Sequence, residues 1–548
     1  MPFVGEIFSQ LKAAADTRVL QEIRDDSVTS VTGVELLELI GKARMFLVTK
    51  GLQKGDRCGL LAANSIRWVA MDLAAMAEGL IVVPLYFRQA PAELVAMMKD
   101  STPSLVCCGD RALRDGIQKT WPEAPPQHVL FDEIFAGAES VELDRPQVRD
   151  ADPVTIIYTS GTSGEPKGVV LTAANVGFML GCTASRLDQL MGGHSGQDRI
   201  FHYLPFSFCA SWIAVLTFLK RGSLVTLNTD LTKIPSDMPA VAPHYFLNVP
   251  QLLERMRRGV DEQIAQKGGI AQAIYSRAKA AWTRKGGAQS GRGIWLWLAD
   301  ALVFPTIRKK MVGENLKALI CGSAPLTPET QEYFRMLGIP VLQVYGLTET
   351  TGICTMDDPA NPVPGRVGPA IPGIEMRLGE NDEIVVRGPN IFRGYWNRLQ
   401  QTAEVLRDGW FHSGDQGEQD ASGNWRIVGR IKNLIILGSG HKIAPETIEE
   451  EIARLLPGAQ QVVVVGNGRG YLSAIVTGTV TADQVQAGLD AVNPELPHYK
   501  QVRAFFLRPE PFSIENGMLT ANGKLKRDLI AARMKSEIDD MYRTVKTA

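Results

Sequence analysis

Residues 158–168, YTSGTSGEPKG, gather three glycines, four small hydroxyl residues and Lys167 within eleven positions. Glycine frees backbone N–H groups to face an anion. Ser160, Thr162 and Ser163 add hydroxyl donors, and Lys167 adds charge, which is the chemistry of a phosphate-holding loop. A P-loop of the form G-x-x-x-x-G-K-[ST], counted from Gly161, needs glycine at position 166, which is Pro166. VTIIY before the loop and GVVL after it both read as strand, so a hairpin tip is expected rather than a strand-to-helix cradle. A second glycine cluster, VVVVGNGRGY, puts Tyr471 where a dinucleotide fingerprint needs its third glycine. Another strand pattern follows it, so it reads as a hairpin turn.

The flanking sequence supplies the frame. GVELLELIGKARMFLVTKG, SIRWVAMDLAAMAEG and APAELVAMMKDS carry apolar residues at helical spacing. Ser65 caps the second, Gly79 stops it, and the third has a proline in its first turn. RCGLLAA, LIVVPL and SLVCCG read as buried strands, and the alternation implies an α/β fold with a helix-covered parallel sheet. KALICGSAPLTPETQEYFRMLGIPVLQVYGLTE repeats the theme, with a second strand ending at Tyr345. After Pro372 the chain turns to short strands and glycine-rich turns. PETIEEEIARLL then reads as a helix with Pro445 first and Ile448, Ile452, Leu455 and Leu456 on one face. QQVVVVGNG, YLSAIVTG and VRAFFLR complete a small α+β unit. The expectation is a large N-terminal body over 1–431, of mostly parallel sheets plus a small β-subdomain, and a small mobile α+β domain over 432–548.

The bulk numbers narrow the function. A chain of 548 residues is too long for one core. A formal net charge of −1 argues against a dedicated nucleic-acid binder. Seven scattered cysteines without metal-ligand spacing read as reduced core thiols of a cytoplasmic protein. The N-terminus has no sustained apolar core of a signal peptide. The most apolar stretch, 206–219, is short of a membrane span and reads as a buried helix. Between Arg257 and Lys310, eleven Lys/Arg face three Asp/Glu, with Trp282, Trp295 and Trp297 interleaved. This segment reads either as a solvated basic helix pair or as a peripheral contact with anionic lipid.

Five segments in fixed order carry a resemblance. They are YTSGTSGEPKG, YGLTETTG (345–352), GWFHSGD (409–415), GRIKNLIILGSGHKIAPETIEEEI (429–452) and LTANGKLKR (519–527). Together they resemble the acyl-adenylating superfamily of acyl-CoA synthetases, peptide-synthetase adenylation domains and beetle luciferases. FHYLP, DALVF, LICGSAPL and FSIENGMLT are most similar to long-chain fatty acyl-CoA synthetases. The resemblance implies attack of a carboxylate on the α-phosphorus of ATP, giving acyl-AMP and pyrophosphate, then thioester formation with coenzyme A. Such chemistry rests on charge neutralisation and positioning.

The resemblance also implies roles for single residues. Thr159, Ser160, Gly161, Thr162, Ser163, Gly164 and Lys167 would cradle the outer phosphates. Glu349 would hold Mg²⁺, with Thr159 as partner, since a hard cation wants oxygen ligands. Thr348 would touch the α-phosphate and Tyr345 would stack on adenine. Gly322, Ser323, Ala324 and Gly346 would line the adenine and the reacting carboxylate. Asp415 and Arg430 would hold the ribose, and Lys524 would bridge the carboxylate and α-phosphate. Lys432 falls at the hinge position, and Ser439 and Gly440 at the thiol tunnel. Phe208 stands where many relatives carry histidine, and Trp212 resembles the gate of a fatty-acyl tunnel. Ala521 replaces a usual proline. His202 and His412 read as structural, because the nucleophile is already ionised. The implied activity is a CoA ligase for a medium- or long-chain acid. The alternative is transfer to the pantetheine of an acyl carrier protein or to another acceptor, with a specialised non-fatty acid as substrate. The intact set Lys167, Glu349, Asp415, Arg430 and Lys524 argues against a non-catalytic homologue.

Overall fold

The computed structural model describes residues 3–123, 125–136, 148–160, 166–194, 196–284, 293–513, 515–520 and 523–543. The chain forms a large and a small compact unit. The larger comprises Met1–Met376, Val386–Phe411 and Asp420–Trp425, and the smaller Arg377–Val385, His412–Gln419 and Arg426–Ala548. The smaller unit therefore takes in three segments expected in the N-terminal body, 377–385, 412–419 and 426–431. A strand belongs with the strands that satisfy its backbone groups, and Trp410–Gln419 pairs with Trp425–Arg430.

The larger unit holds two sheets. One has seven strands in the order Gly394–Tyr395, Pro166–Thr172, Pro153–Ser160, Ile81–Leu85, Arg57–Leu61, Leu105–Cys108 and Gln127–Leu130. From Pro153–Ser160 to Gln127–Leu130 neighbouring strands run parallel. The helix Ile66–Ala77 is capped as expected, Ser65 Oγ accepting from Trp68 N at 3.0 Å, and Gly79 follows it at φ +72°. All its side chains but Arg67 are buried, which fits its nearly unbroken apolar sequence.

The second sheet has eight strands, and its order is Thr355–Met356, Val341–Tyr345, Ala318–Cys321, Tyr245–Asn248, Arg199–His202, Leu224–Asn228, Arg18–Arg24 and Ser27–Thr32. The six inner strands pair parallel, and both edge strands are antiparallel. The apolar stretch 206–219 forms the buried helix Cys209–Lys220, with Phe208 at its N-cap. No helix among the described residues is long and apolar enough to cross a membrane.

In the smaller unit, Ala459–Val465, Leu472–Gly478 and Val502–Arg508 form a three-stranded sheet. Its first pair is antiparallel across the VVVVGNGRGY turn, as its sequence predicts. The helix Pro445–Leu455 packs Ile448 and Ile452 into the core together with Leu456. Leu455 departs from the expected face. It is the helix's last residue and stays 39% exposed, while Leu456, at the cap with ψ +76°, turns inward. All seven cysteines are free thiols and six are buried. Burial pushes the Cys108 thiol up to about 12.

Candidate active site

The strands Pro153–Ser160 and Pro166–Thr172 make the expected hairpin, with Thr159 opposite Lys167 and Ser160 opposite Pro166. Gly161, Thr162, Ser163 and Gly164 lie outside the described residues, as does the side chain of Ser160. Gly168 permits a close approach, because a Cβ there would lie 2.6 Å from Ile156 Cγ2 and 3.3 Å from Trp396 Cβ. Trp396 N donates to Gly168 O at 2.7 Å, which brings the neighbouring Tyr395 alongside Lys167. Lys167 Nζ lies 5.2 Å from the Tyr395 ring centroid, a cation–π contact. The Tyr395 hydroxyl in turn donates to Glu349 Oε1 at 2.9 Å. Lys167 and Glu349 are thus two ends of one row. Sequence reasoning missed Tyr395. Its only sequence signal is the aromatic run in FRGYW, and nothing there marks a charged partner.

Glu349 is fixed from its backbone outward. Thr348–Thr350 is a 3₁₀ turn after the strand Val341–Tyr345. Phe392 N donates to Glu349 O at 2.9 Å, and Thr351 Oγ1 to Asn390 O at 2.7 Å. Gly346 leaves no room for a side chain, since a Cβ would sit 2.1 Å from Gly352 O. Gly322 is equally tight, 2.6 Å from Val344 Cγ2. Gly322 and exposed Ser323 and Ala324 follow the strand Ala318–Cys321, and half-buried Tyr345 ends the adjacent parallel strand, so all four lie at one C-terminal edge. Ligands of open α/β sheets bind at such an edge. No cluster of three or more His, Cys, Asp or Glu able to hold a metal exists among the described residues. Glu349 and Thr159 offer oxygen donors, and a single carboxylate suits magnesium carried mainly by nucleotide phosphates and water.

Half-buried Phe208 packs against Tyr86 with ring centroids 5.7 Å apart. Trp212 is fully buried, and its Nε1 donates to Asp72 Oδ2 at 2.9 Å. Asp72 comes from the helix Ile66–Ala77, and its Oδ1 has no hydrogen-bond partner. Burial pushes its pKa up to about 7, against the opposing indole hydrogen bond. The loop 345–352 lies against the same helix as Trp212, because a Cβ on Gly352 would be 3.8 Å from Ile213 Cγ1. The sequence reading missed Asp72, which looks like a surface carboxylate until the all-round burial of its helix is known. His202 is buried, with Nε2 2.8 Å from Ser211 Oγ, and burial pulls its pKa down to about 4. His412 Nδ1 lies 2.8 Å from Glu383 Oε2.

The smaller unit assembles the other set. Asp415 and Arg430 sit on the paired strands Trp410–Gln419 and Trp425–Arg430, with Arg430 Nε 2.6 Å from Asp415 Oδ1. Asp415 is buried, its N–H donating to Ser413 Oγ at 3.0 Å. Lys432, two residues past Arg430, is exposed. Partial desolvation lowers its pKa, as do the charges of Arg430 and Lys524, with Asp528 and Asp415 opposing. Lys524 is exposed on a tight turn in which Thr520 N donates to Lys524 O at 2.8 Å and Gly523 takes φ +73°. Ala521 lies outside the described residues. Three residues on, Arg527 Nη1 donates to Glu449 Oε1 at 2.7 Å and Nη2 to Oε2, anchoring the segment in the core. Ser439 and Gly440 form the exposed tip of a ribbon between Ile435–Ile436 and Lys442–Ile443. Ser439 Oγ is 2.9 Å from His441 Nδ1, and Gly440 takes φ +86°.

A family model described as AMP-binding enzyme matches residues 8–396, and one described as AMP-binding enzyme C-terminal domain matches 432–546. A long-chain-fatty-acid–CoA ligase of Mycobacterium bovis is 27% identical over 98% of this chain and 96% of its own. ATP-bound MatB from Rhodopseudomonas palustris is similar at a TM-score of 0.75 and 26% identity, over 97% of this chain and 99% of that one. The o-succinylbenzoate CoA synthetase of Bacillus subtilis, solved with its acyl-adenylate intermediate, shares the fold at a TM-score of 0.76 and 21% identity, over 97% and 98% of the two chains.

Proposed function

Because the chain belongs to the AMP-binding enzyme family, we propose that it is an AMP-forming acyl-CoA ligase for a medium- or long-chain fatty acid. A carboxylate oxygen attacks the α-phosphorus of ATP, the bond to the β-phosphate oxygen breaks, and pyrophosphate leaves. The thiol of coenzyme A then attacks the acyl carbon, AMP departs with the carboxylate oxygen, and the thiol proton is released. The row Lys167–Tyr395–Glu349 carries this reading, since it sets an ammonium and a carboxylate at fixed positions beside a glycine-rich hairpin.

Each group has a task in charge neutralisation. Lys167 and the 159–164 loop hold the outer phosphates, and Thr348 meets the α-phosphate. Glu349, with Thr159, would hold the magnesium ion that accompanies ATP and offsets its charge. Tyr345, Gly322, Ser323, Ala324 and Gly346 line the adenine and carboxylate. Asp415 and Arg430 hold the ribose. Lys524 bridges the carboxylate and α-phosphate, Lys432 is the hinge, and Ser439 and Gly440 border the thiol's path. The names of relatives support a fatty acid, as does the apolar stretch 206–219 around Phe208 and Trp212. Seven free thiols suit a reducing cytoplasm.

Acid-dependent exchange of labelled pyrophosphate into ATP tests the reading. The wild-type protein should exchange, and Lys524→Ala should slow it at least about a hundredfold, as for loss of a transition-state charge partner. Equal exchange in both proteins would remove Lys524 from the reaction.

A further inference from the structure

The helix Ile294–Leu302, IWLWLADAL, has one charged residue, yet much of its apolar surface faces solvent. Leu296 and Ala299 are buried, whereas Ile294 is 69%, Trp297 62% and Leu302 63% exposed. At about 100° per residue these three, with exposed Ala301, lie on one side of the helix, opposite its buried face. On the preceding helix, Gly269–Arg284, Ile270 is 80% exposed. Scattered exposed leucines need no explanation, but a contiguous apolar stripe marks an interaction surface.

Charge identifies the partner. Residues 269–312 contain eight Lys/Arg and one Asp in a chain whose net charge is −1. Arg277 and Arg284 are exposed on one neighbouring helix, and Lys309 and Lys310 on the other, Phe304–Val312. The Arg277 guanidinium lies 4.6 Å from the Trp295 ring centroid. Two copies of this chain meeting through the stripe would set like charges against each other. An anionic bilayer surface instead takes up the apolar side chains at its headgroup boundary and pairs with the cations around them. At nine residues the helix is too short to span.

We infer that this stripe, Ile294, Trp297 and Leu302 rimmed by Arg277, Arg284 and Lys310, docks the protein on anionic lipid. The inference stands apart from the catalytic reading, because none of these residues serves the proposed reaction. Sedimentation of the full chain with phosphatidylcholine vesicles, with or without phosphatidylglycerol, tests it. Binding is expected to the anionic vesicles, weakening with salt. Arg284→Ala and Lys310→Ala should each reduce it about fivefold, the worth of one cation near such a surface. A triple serine variant at 294, 297 and 302 should lose it, with pyrophosphate exchange on a soluble acid unchanged. Equal binding to both vesicle types, or unaltered binding by the triple variant, would overturn the inference. So would self-association through the stripe, seen by sedimentation velocity without vesicles and lost in the triple variant.

Discussion

Arg527→Ala should loosen the smaller unit from within. Glu449 is 8% exposed and accepts two hydrogen bonds from Arg527 and one, at 2.7 Å, from Val464 N. Removing the guanidinium leaves a buried carboxylate with one backbone donor. Breaking a buried pair from one side costs about 3–5 kcal/mol, whereas replacing both partners by apolar groups is often near neutral. Burial already raises the Glu449 pKa, with Arg527 opposing. Without Arg527 it should rise further. A raised folded-state pKa gives stability that is complete below the unfolded value and lost as pH rises through the folded one. The variant's deficit should therefore be greater at about pH 8 than at about pH 5. In a chain of two compact units a single unfolding energy is ill-defined, so hydrogen exchange of the full chain is the suitable assay. Peptides from the strands Ala459–Val465 and Leu472–Gly478 should exchange roughly two to three orders of magnitude faster in the variant. Glu449→Leu with Arg527→Met should restore most of the protection. Exchange in Arg527→Ala within about twofold of the wild type would refute the reasoning.

Tyr395→Phe removes the hydroxyl on Glu349 but keeps the ring near Lys167. A hydrogen bond to a charged group is worth about 1.5–3 kcal/mol, so kcat/KM for ATP should fall about ten- to a hundredfold. Steady-state kinetics over a range of ATP concentrations measures this, and a change below about twofold would exclude Tyr395 as a positioning residue. Asp72→Asn should remove a pH dependence. With the folded pKa raised to about 7, the wild type loses stability relative to the variant as pH rises from the ordinary carboxylate range through about 7. The limit is about 4 kcal/mol. Melting temperatures of both proteins across this range should diverge, and parallel curves would contradict the burial of the Asp72 carboxylate.

Much of the frame is legible because it rests on local rules. Pro166 and the GVVL strand exclude a P-loop, and the hairpin follows. Ser65 and Gly79 mark the ends of one helix by capping chemistry that needs no tertiary context. Tyr395 and Asp72 were not legible, because each acquires its role from a partner far along the chain. Glu349 lies 46 residues from Tyr395, and Trp212 140 from Asp72. Leu455 was misassigned because periodicity does not tell where a helix stops. The basic stretch 257–310 shows the sign of a surface, but its apolar stripe emerges only once Leu296 and Ala299 are seen to take the buried side.

Product analysis tests the central claim most directly. The full chain is incubated with ATP, Mg²⁺, coenzyme A and straight-chain acids of graded length. The account predicts AMP, pyrophosphate and acyl-CoA in equal amounts, formed only when an acid is present and best with medium or long chains. ADP and phosphate as products, or nucleotide turnover that ignores the acid, would contradict it.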